Sequence, residues 1–210
     1  MPNWCSNHIT VRGDNPAEIQ RLAAAFADSG LCNAVIPVPQ DLTDTVSGFL
    51  GSGDEQKALE AKTAANLEKY GYGNWYDYQV ANWGTKWDVT CDSVEIDEDG
   101  LGFSGTFDSA WSPPVPIAAA LAEQGFTVTL YYYEPGMAFC GKWEDGSDDY
   151  YEYSGETSAT VRAAIGDDLD DMFGISESMA EYEAENEQEE LTEWIRDGVE
   201  KNNKLGLIAE

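Results

Sequence analysis

The sequence is poor in positive charge. Eleven lysines and arginines stand against 40 aspartates and glutamates, giving a formal net charge of −29 and a pI near 4.1. Such a surface repels phosphate backbones and anionic membranes, which excludes direct nucleic-acid binding and membrane attachment as working activities. It steers toward basic partners, or it serves solubility alone. Histidine is scarcer still. His8 is the one copy, so zinc ligation and histidine-based catalysis have little to draw on. The four cysteines, Cys5, Cys32, Cys91 and Cys140, form no C-x-x-C pair and are widely spaced. That pattern predicts reduced, buried thiols in a cytoplasmic protein rather than a disulfide scaffold. No apolar run approaches the roughly 20 residues of a membrane span. The first residues lack the basic and apolar regions of a secretory signal, and no phosphate-cradling glycine loop is present.

What is present suffices for a core: 42% hydrophobic and 12% aromatic residues in 210, enough for one domain or one domain with an extension. Residues 4–12 alternate. Cys5, Asn7, Ile9 and Val11 point one way and Ser6, His8 and Thr10 the other, which predicts a strand with one buried face. Asn15 and Pro16 open a helix whose apolar stripe is Ile19, Leu22, Ala23 and Phe26, with Gly30 at its end. Residues 34–39 read as extended before two prolines. Residues 54–70 read as a helix closed by Gly71, and residues 75–83 as a short helix presenting Trp75, Tyr78 and Trp83 to the core. Strands are predicted at 87–96, 101–107, 126–133, 138–143 and 149–153, with hairpin turns at Asp97–Gly100 and Asp145–Gly146. Pro113 and Pro114 introduce a helix over 115–123.

The order is strand, helix, insertion, strand, strand, helix, strand, hairpin. This is the split β-α-β pattern of a ferredoxin-like α+β fold, an antiparallel sheet with helices on one face. The insertion covers about residues 37–82. The predicted organisation is a ferredoxin-like domain over 1–155 and an acidic helical extension over 156–210 packed on it. Composition shifts there: residues 144–200 hold 20 acidic and two basic residues, a net of −18. A short helix is predicted at 158–165 and one long helix at 177–203.

The heptad Asn82-Trp83-Gly84-Thr85-Lys86-Trp87-Asp88 is the densest motif, and it reads as a clasp between helix and sheet. Together with the start Met-Pro-Asn-Trp-Cys-Ser-Asn (1–7), Pro37-Val38-Pro39, Ala110-Trp111-Ser112-Pro113-Pro114 and Tyr132-Tyr133-Glu134-Pro135-Gly136 followed by Phe139-Cys140-Gly141, it resembles the YubB-like family of phage and conjugative-plasmid proteins. The resemblance covers roughly residues 1–146. It implies a ferredoxin-like domain and a mobile-element origin, and brings no catalytic residue. The acidic C-terminal helix lies outside it.

Two groups of residues are candidate sites. Trp83, Lys86, Trp87, Asp88 and Trp111 suit a pocket for a small polar or aromatic ligand; the alternative is a structural role, with the tryptophans in the core and Lys86 stacked on an indole. Glu177, Glu181, Glu185, Glu189, Glu193 and Asp197 recur every four residues. On a helix they form a slowly turning ridge with charges about 6 Å apart, while Leu191, Trp194, Ile195 and Val199 form a stripe able to dock it. Other acidic runs carry less. Glu95-x-Asp97-x-Asp99-Gly100 looks like half a calcium loop, but Thr106 stands where the bidentate acid belongs. Asp167–Asp171 reads as a solvated acidic turn. No cofactor or metal is called for. The leading expectation is a non-enzymatic protein whose acidic surface binds a basic, nucleic-acid-binding host protein, as an imitation of nucleic acid directed at a defence system. The alternatives are a small-molecule binder or enzyme at the tryptophan pocket, and an assembly protein using its long helix.

Overall fold

The computed structural model describes residues 3–91 and 93–204, with the side chains of the last helix described as far as Asp197. The chain divides into two compact units, Met1–Ser154 and Gly155–Glu210.

The first unit opens with β1 (Trp4–Arg12), whose alternate residues Cys5, Asn7, Ile9 and Val11 are buried as the sequence period requires. Asn15 caps α1 (Pro16–Ala27) by accepting a bond from the Ala17 amide, and Pro16 supplies the preset first turn. Next come α2 (Leu31–Val35), α3 (Gln40–Thr43), α4 (Asp54–Tyr70) and α5 (Trp75–Trp83). The sheet resumes with β2 (Glu95–Ile96) and β3 (Gly102–Ala110). After α6 (Val115–Glu123), β4 (Thr127–Glu134), β5 (Phe139–Glu144) and β6 (Ser147–Glu152) complete it. The strand order is β2-β3-β1-β4-β5-β6, antiparallel throughout. The first four strands have the ferredoxin-like order, and β5 and β6 extend it through a two-residue turn. Asp145 and Gly146 both have positive φ there (52° and 81°), as that turn demands.

One face of the sheet carries the core. Phe26 of α1 is fully buried with its ring edge-on to Phe107 at 5.2 Å and tilted against Phe103 at 6.1 Å. Ile117 and Leu121 of α6 pack into the same cluster with Ile9, Val11 and Leu130. Burying each such side chain contributes about 1.5–3 kcal/mol. Asn7 sits in this core without penalty, because its amide donates to the Cys5 and Phe107 carbonyls and to Ser109 Oγ. The opposite face shows Ser6, His8, Thr10, Thr106 and Asp108. The four cysteines are buried thiols.

The insertion is held by polar contacts. Asn66 of α4 is buried and donates to the carbonyls of Asp41 and Gly73 and to Thr45 Oγ1. Lys69 pairs with Asp41 at 2.8 Å.

The structure differs from the sequence expectation at three places. Residues 34–35 belong to helix α2 rather than an extended run, because α2 receives an external cap from Asp88. The strand predicted at 87–96 pairs only at Glu95 and Ile96. Its first half is pulled out of the sheet: the Cys91 amide donates to the Phe26 carbonyl at the end of α1. The acidic run 167–171 is a helix rather than a turn, as described next.

The second unit comprises α7 (Ser158–Ile165), α8 (Asp167–Phe173) and α9 (Ile175–Lys204). Thr157 and Thr160 form a capping box for α7. Glu183 of α9 completes the cap, accepting from the Ser158 amide (2.7 Å) and hydroxyl (2.8 Å). Asp170 points inward from α8. It accepts from the Ser176 amide and hydroxyl (2.7 and 2.6 Å) and faces Arg162 at 3.1 Å, so it fastens α7, α8 and α9 together.

Candidate functional site

The heptad residues divide between framework and surface. Trp83 is 2% exposed and its indole N–H donates to the Ile36 carbonyl at 2.8 Å. Gly84 ends α5 at φ +79°, and a Cβ there would lie 2.8 Å from Pro116 Cδ and 2.9 Å from the Pro113 carbonyl oxygen. Thr85 Oγ1 both donates to the Ala110 carbonyl and accepts from the Ala110 amide. Asp88 accepts from the amides of Cys32, Asn33 and Val89 at 2.8–2.9 Å, capping α2. Burial pushes its carboxyl pKa up against the lowering effect of those bonds. These four residues clasp α5, α2, α6 and the end of β3.

Lys86, Trp87 and Trp111 lie at the surface. The Lys86 ammonium stands 4.6 Å from the Trp87 ring centroid, 5.3 Å from Trp111 and 5.7 Å from Tyr76. It makes no ion pair among the described residues. Trp4 tilts against Trp87 at 6.1 Å. Trp4, Trp87 and Trp111 are each 40–49% exposed. Trp111 holds φ +68° with its amide bonded to the Asn3 carbonyl, an uncommon conformation for a bulky residue. Of the five candidate residues, Trp87 and Asp88 line a cleft, while Lys86, Trp87 and Trp111 form a surface cluster. The cluster gains Trp4 and Tyr76, which sequence spacing gave no means of joining to it.

Beside Trp4 and Trp87 a cleft of ≈ 670 Å³ runs along the outer edge of β3, with His8, Thr90, Ser93 and Glu95 among its walls. His8 contacts Thr106 Oγ1 at 3.2 Å, and burial lowers its pKa while Glu95 opposes the shift. The cleft exists because residues 87–91, 93 and 94 are not paired in the sheet. Asp99 and Asp97 of the neighbouring turn pair with Arg12 instead of forming a cation loop.

The six ridge acids of α9 are all exposed. Glu193 pairs with Arg196 at 3.0 Å. Glu177, Glu181, Glu185, Glu189 and Asp197 make no ion pair among the described residues. Every described side chain from 187 to 197 is exposed. Within the second unit the stripe expected to dock the helix is thus bare: Leu191 is 56% exposed, Trp194 74% and Ile195 51%. The physical reason is reach, since α7 and α8 are short and burial along α9 stops at Asn186. Val199 lies outside the described residues. Among those residues no helix is long and apolar enough to cross a membrane.

A family model described as the ferredoxin-like domain in Api92-like protein matches residues 82–196. The chain belongs to this family. The Api92-like match starts at Asn82, the first residue of the clasp, and runs through β3, α6 and β4 into α9. Among solved structures, the crystal structure of protein api92 from Yersinia pseudotuberculosis is similar at 12% identity and a TM-score of 0.36, covering 73% of this chain and 98% of that one. Comparison with curated proteins gives no match.

Proposed function

We propose that this Api92-like protein is a non-enzymatic binding protein whose helix α9 engages a basic surface on another protein. The observation that carries the reading is the bare half of α9, where exposed carboxylates at four-residue spacing, only Glu193 of them in an ion pair among the described residues, flank exposed Leu191, Trp194 and Ile195. The carboxylates set encounter rate and salt dependence. Trp194 supplies the apolar anchor that a stable contact needs. Charges about 6 Å apart along a rod are on the scale of a nucleic-acid backbone, so the natural partner is a protein with a groove for DNA or RNA. Within this reading the protein acts in the cytoplasm of a host cell, as the YubB-like resemblance implies for a mobile-element product, and inhibits a host defence system.

The test is capture from host lysate on the immobilised protein at low salt, elution with rising salt, and competition by duplex DNA. A nucleic-acid-binding protein released by salt and displaced by duplex supports the reading. A captured partner that binds duplex and this protein together contradicts the imitation. A small-molecule or enzyme reading centred on the heptad is weakened by the commitment of Trp83 and Asp88 to framework bonds.

A further inference from the structure

The outer edge of β3 is an incomplete sheet edge with a recess beside it. In the β1–β3 pairing, Trp111 bonds across to Asn3, and the Gly13 amide bonds to the Leu101 carbonyl. Odd-numbered residues of β3 therefore spend their backbone groups on β1, and even-numbered residues point to the other side. On that side Gly102 bonds Asp97, Ser104 is paired with Glu95 of β2, and Ala110 is held by Thr85. Between them, the N–H and C=O groups of Thr106 and Asp108 find no partner among the described residues.

A continuing β2 would have filled this gap. Instead Cys91 passes beneath the edge, where its sulfur would lie 2.6 Å from a Cβ added at Gly105, and its amide is bonded to Phe26. The vacated lane is the ≈ 670 Å³ cleft, ending at the Trp4–Trp87 pair. Exposed edges are usually blunted by lysine, proline or a cover. This one bears Thr106 and Asp108 and is flanked by Glu95.

We infer that this lane takes an extended segment of a partner protein as an added strand, with basic side chains at alternate positions. Four backbone groups at strand spacing are matched by another backbone and by little else. Thr106, Asp108 and Glu95 project on one face of the lane, so every second side chain of the guest meets carboxylates. Trp4 and Trp87 offer ring faces at the end. The inference is independent of α9, which belongs to the other unit.

The test uses the full chain and a synthetic peptide of about seven residues, a usual strand length, alternating lysine with valine or threonine. Amide hydrogen exchange is read by NMR at Thr106 and Asp108. The peptide should slow both amides by about tenfold or more, and N-methylating its β3-facing amides should weaken binding about tenfold at unchanged charge, each tenfold being 1.4 kcal/mol. Glu95→Lys should weaken the peptide, whereas charge reversal on α9 should leave it bound. Equal affinity for the N-methylated peptide, or unchanged exchange at the two amides, would overturn the inference. So would protection of those amides by concentration-dependent dimerisation without peptide, which would give the lane to a second copy of the chain.

Discussion

Asp88 and Trp111 show what single residues contribute to this molecule. Asp88 satisfies the amides at the start of α2 from a partly buried position. Asp88→Ala should cost about 1–2 kcal/mol in denaturant unfolding, as loss of a helix cap does, and Asp88→Asn less. Trp83→Ala should cost about 3–5 kcal/mol, as for any buried aromatic. Trp111→Gly should stay within about 1 kcal/mol of the parent, because relief at positive φ offsets lost ring contact. Equal losses at Trp83 and Trp111 would contradict the division between framework and display. Cys5 gives a pH signature. Burial pushes its thiol from 9.0 up to about 12. Below pH 9 both folded and unfolded chains hold the proton and this thiol adds no pH dependence. Between pH 9 and about 12 the unfolded chain has lost it and the folded chain has not, so stability falls as pH rises. Cys5→Ala should reduce that slope in unfolding curves taken across the window, and Cys32, whose thiol burial also pushes up, should keep part of it.

At the scale of elements, the clasp and the long helix differ in how far sequence could specify them. Gly84 is fixed twice, by φ +79° and by Pro113 and Pro116 against its α-carbon. Gly84→Ala should destabilise by about 1–3 kcal/mol, the usual cost of overpacking, read as a lowered denaturant midpoint. The clasp was legible because Trp, Gly and Asp in one heptad are residues of strong conformational demand. The alternation in β1 and the apolar stripe of α1 were legible for the same reason: a single period served a single buried face. Residues 87–96 misled because Val89 and Cys91 are buried, as strand residues would be, yet the Cys91 amide bonds to Phe26 at the end of α1 and not to a neighbouring strand. Periodicity reports burial and is silent on which backbone receives the hydrogen bonds. In α9 the acidic period was plain, but a stripe of Leu191, Trp194 and Ile195 says only that something covers it, and α7 and α8 do not reach. Tyr76 meets Lys86, and Trp4 meets Trp87, through tertiary contact, which no local spacing encodes.

At the scale of the whole molecule, two compact units carry a charge of −29. The few cations are largely committed: Arg12 to the β2–β3 turn, Lys69 to the insertion, Arg162 to Asp170. That leaves the α9 ridge acids other than Glu193 without a counter-ion among the described residues and makes association with a basic surface favourable at low ionic strength. Removing the apolar anchor should act differently from removing charge. Trp194→Ala should speed dissociation of a captured partner with little change in its salt dependence, read by surface binding kinetics at two salt concentrations. The most direct measurement is capture from host lysate by the parent chain and by the variant Glu181→Lys/Glu185→Lys/Glu189→Lys, side by side at low salt. The account predicts a salt-labile basic protein on the parent and its absence from the variant, with both chains folded alike by circular dichroism. The same partner held equally by both would contradict it.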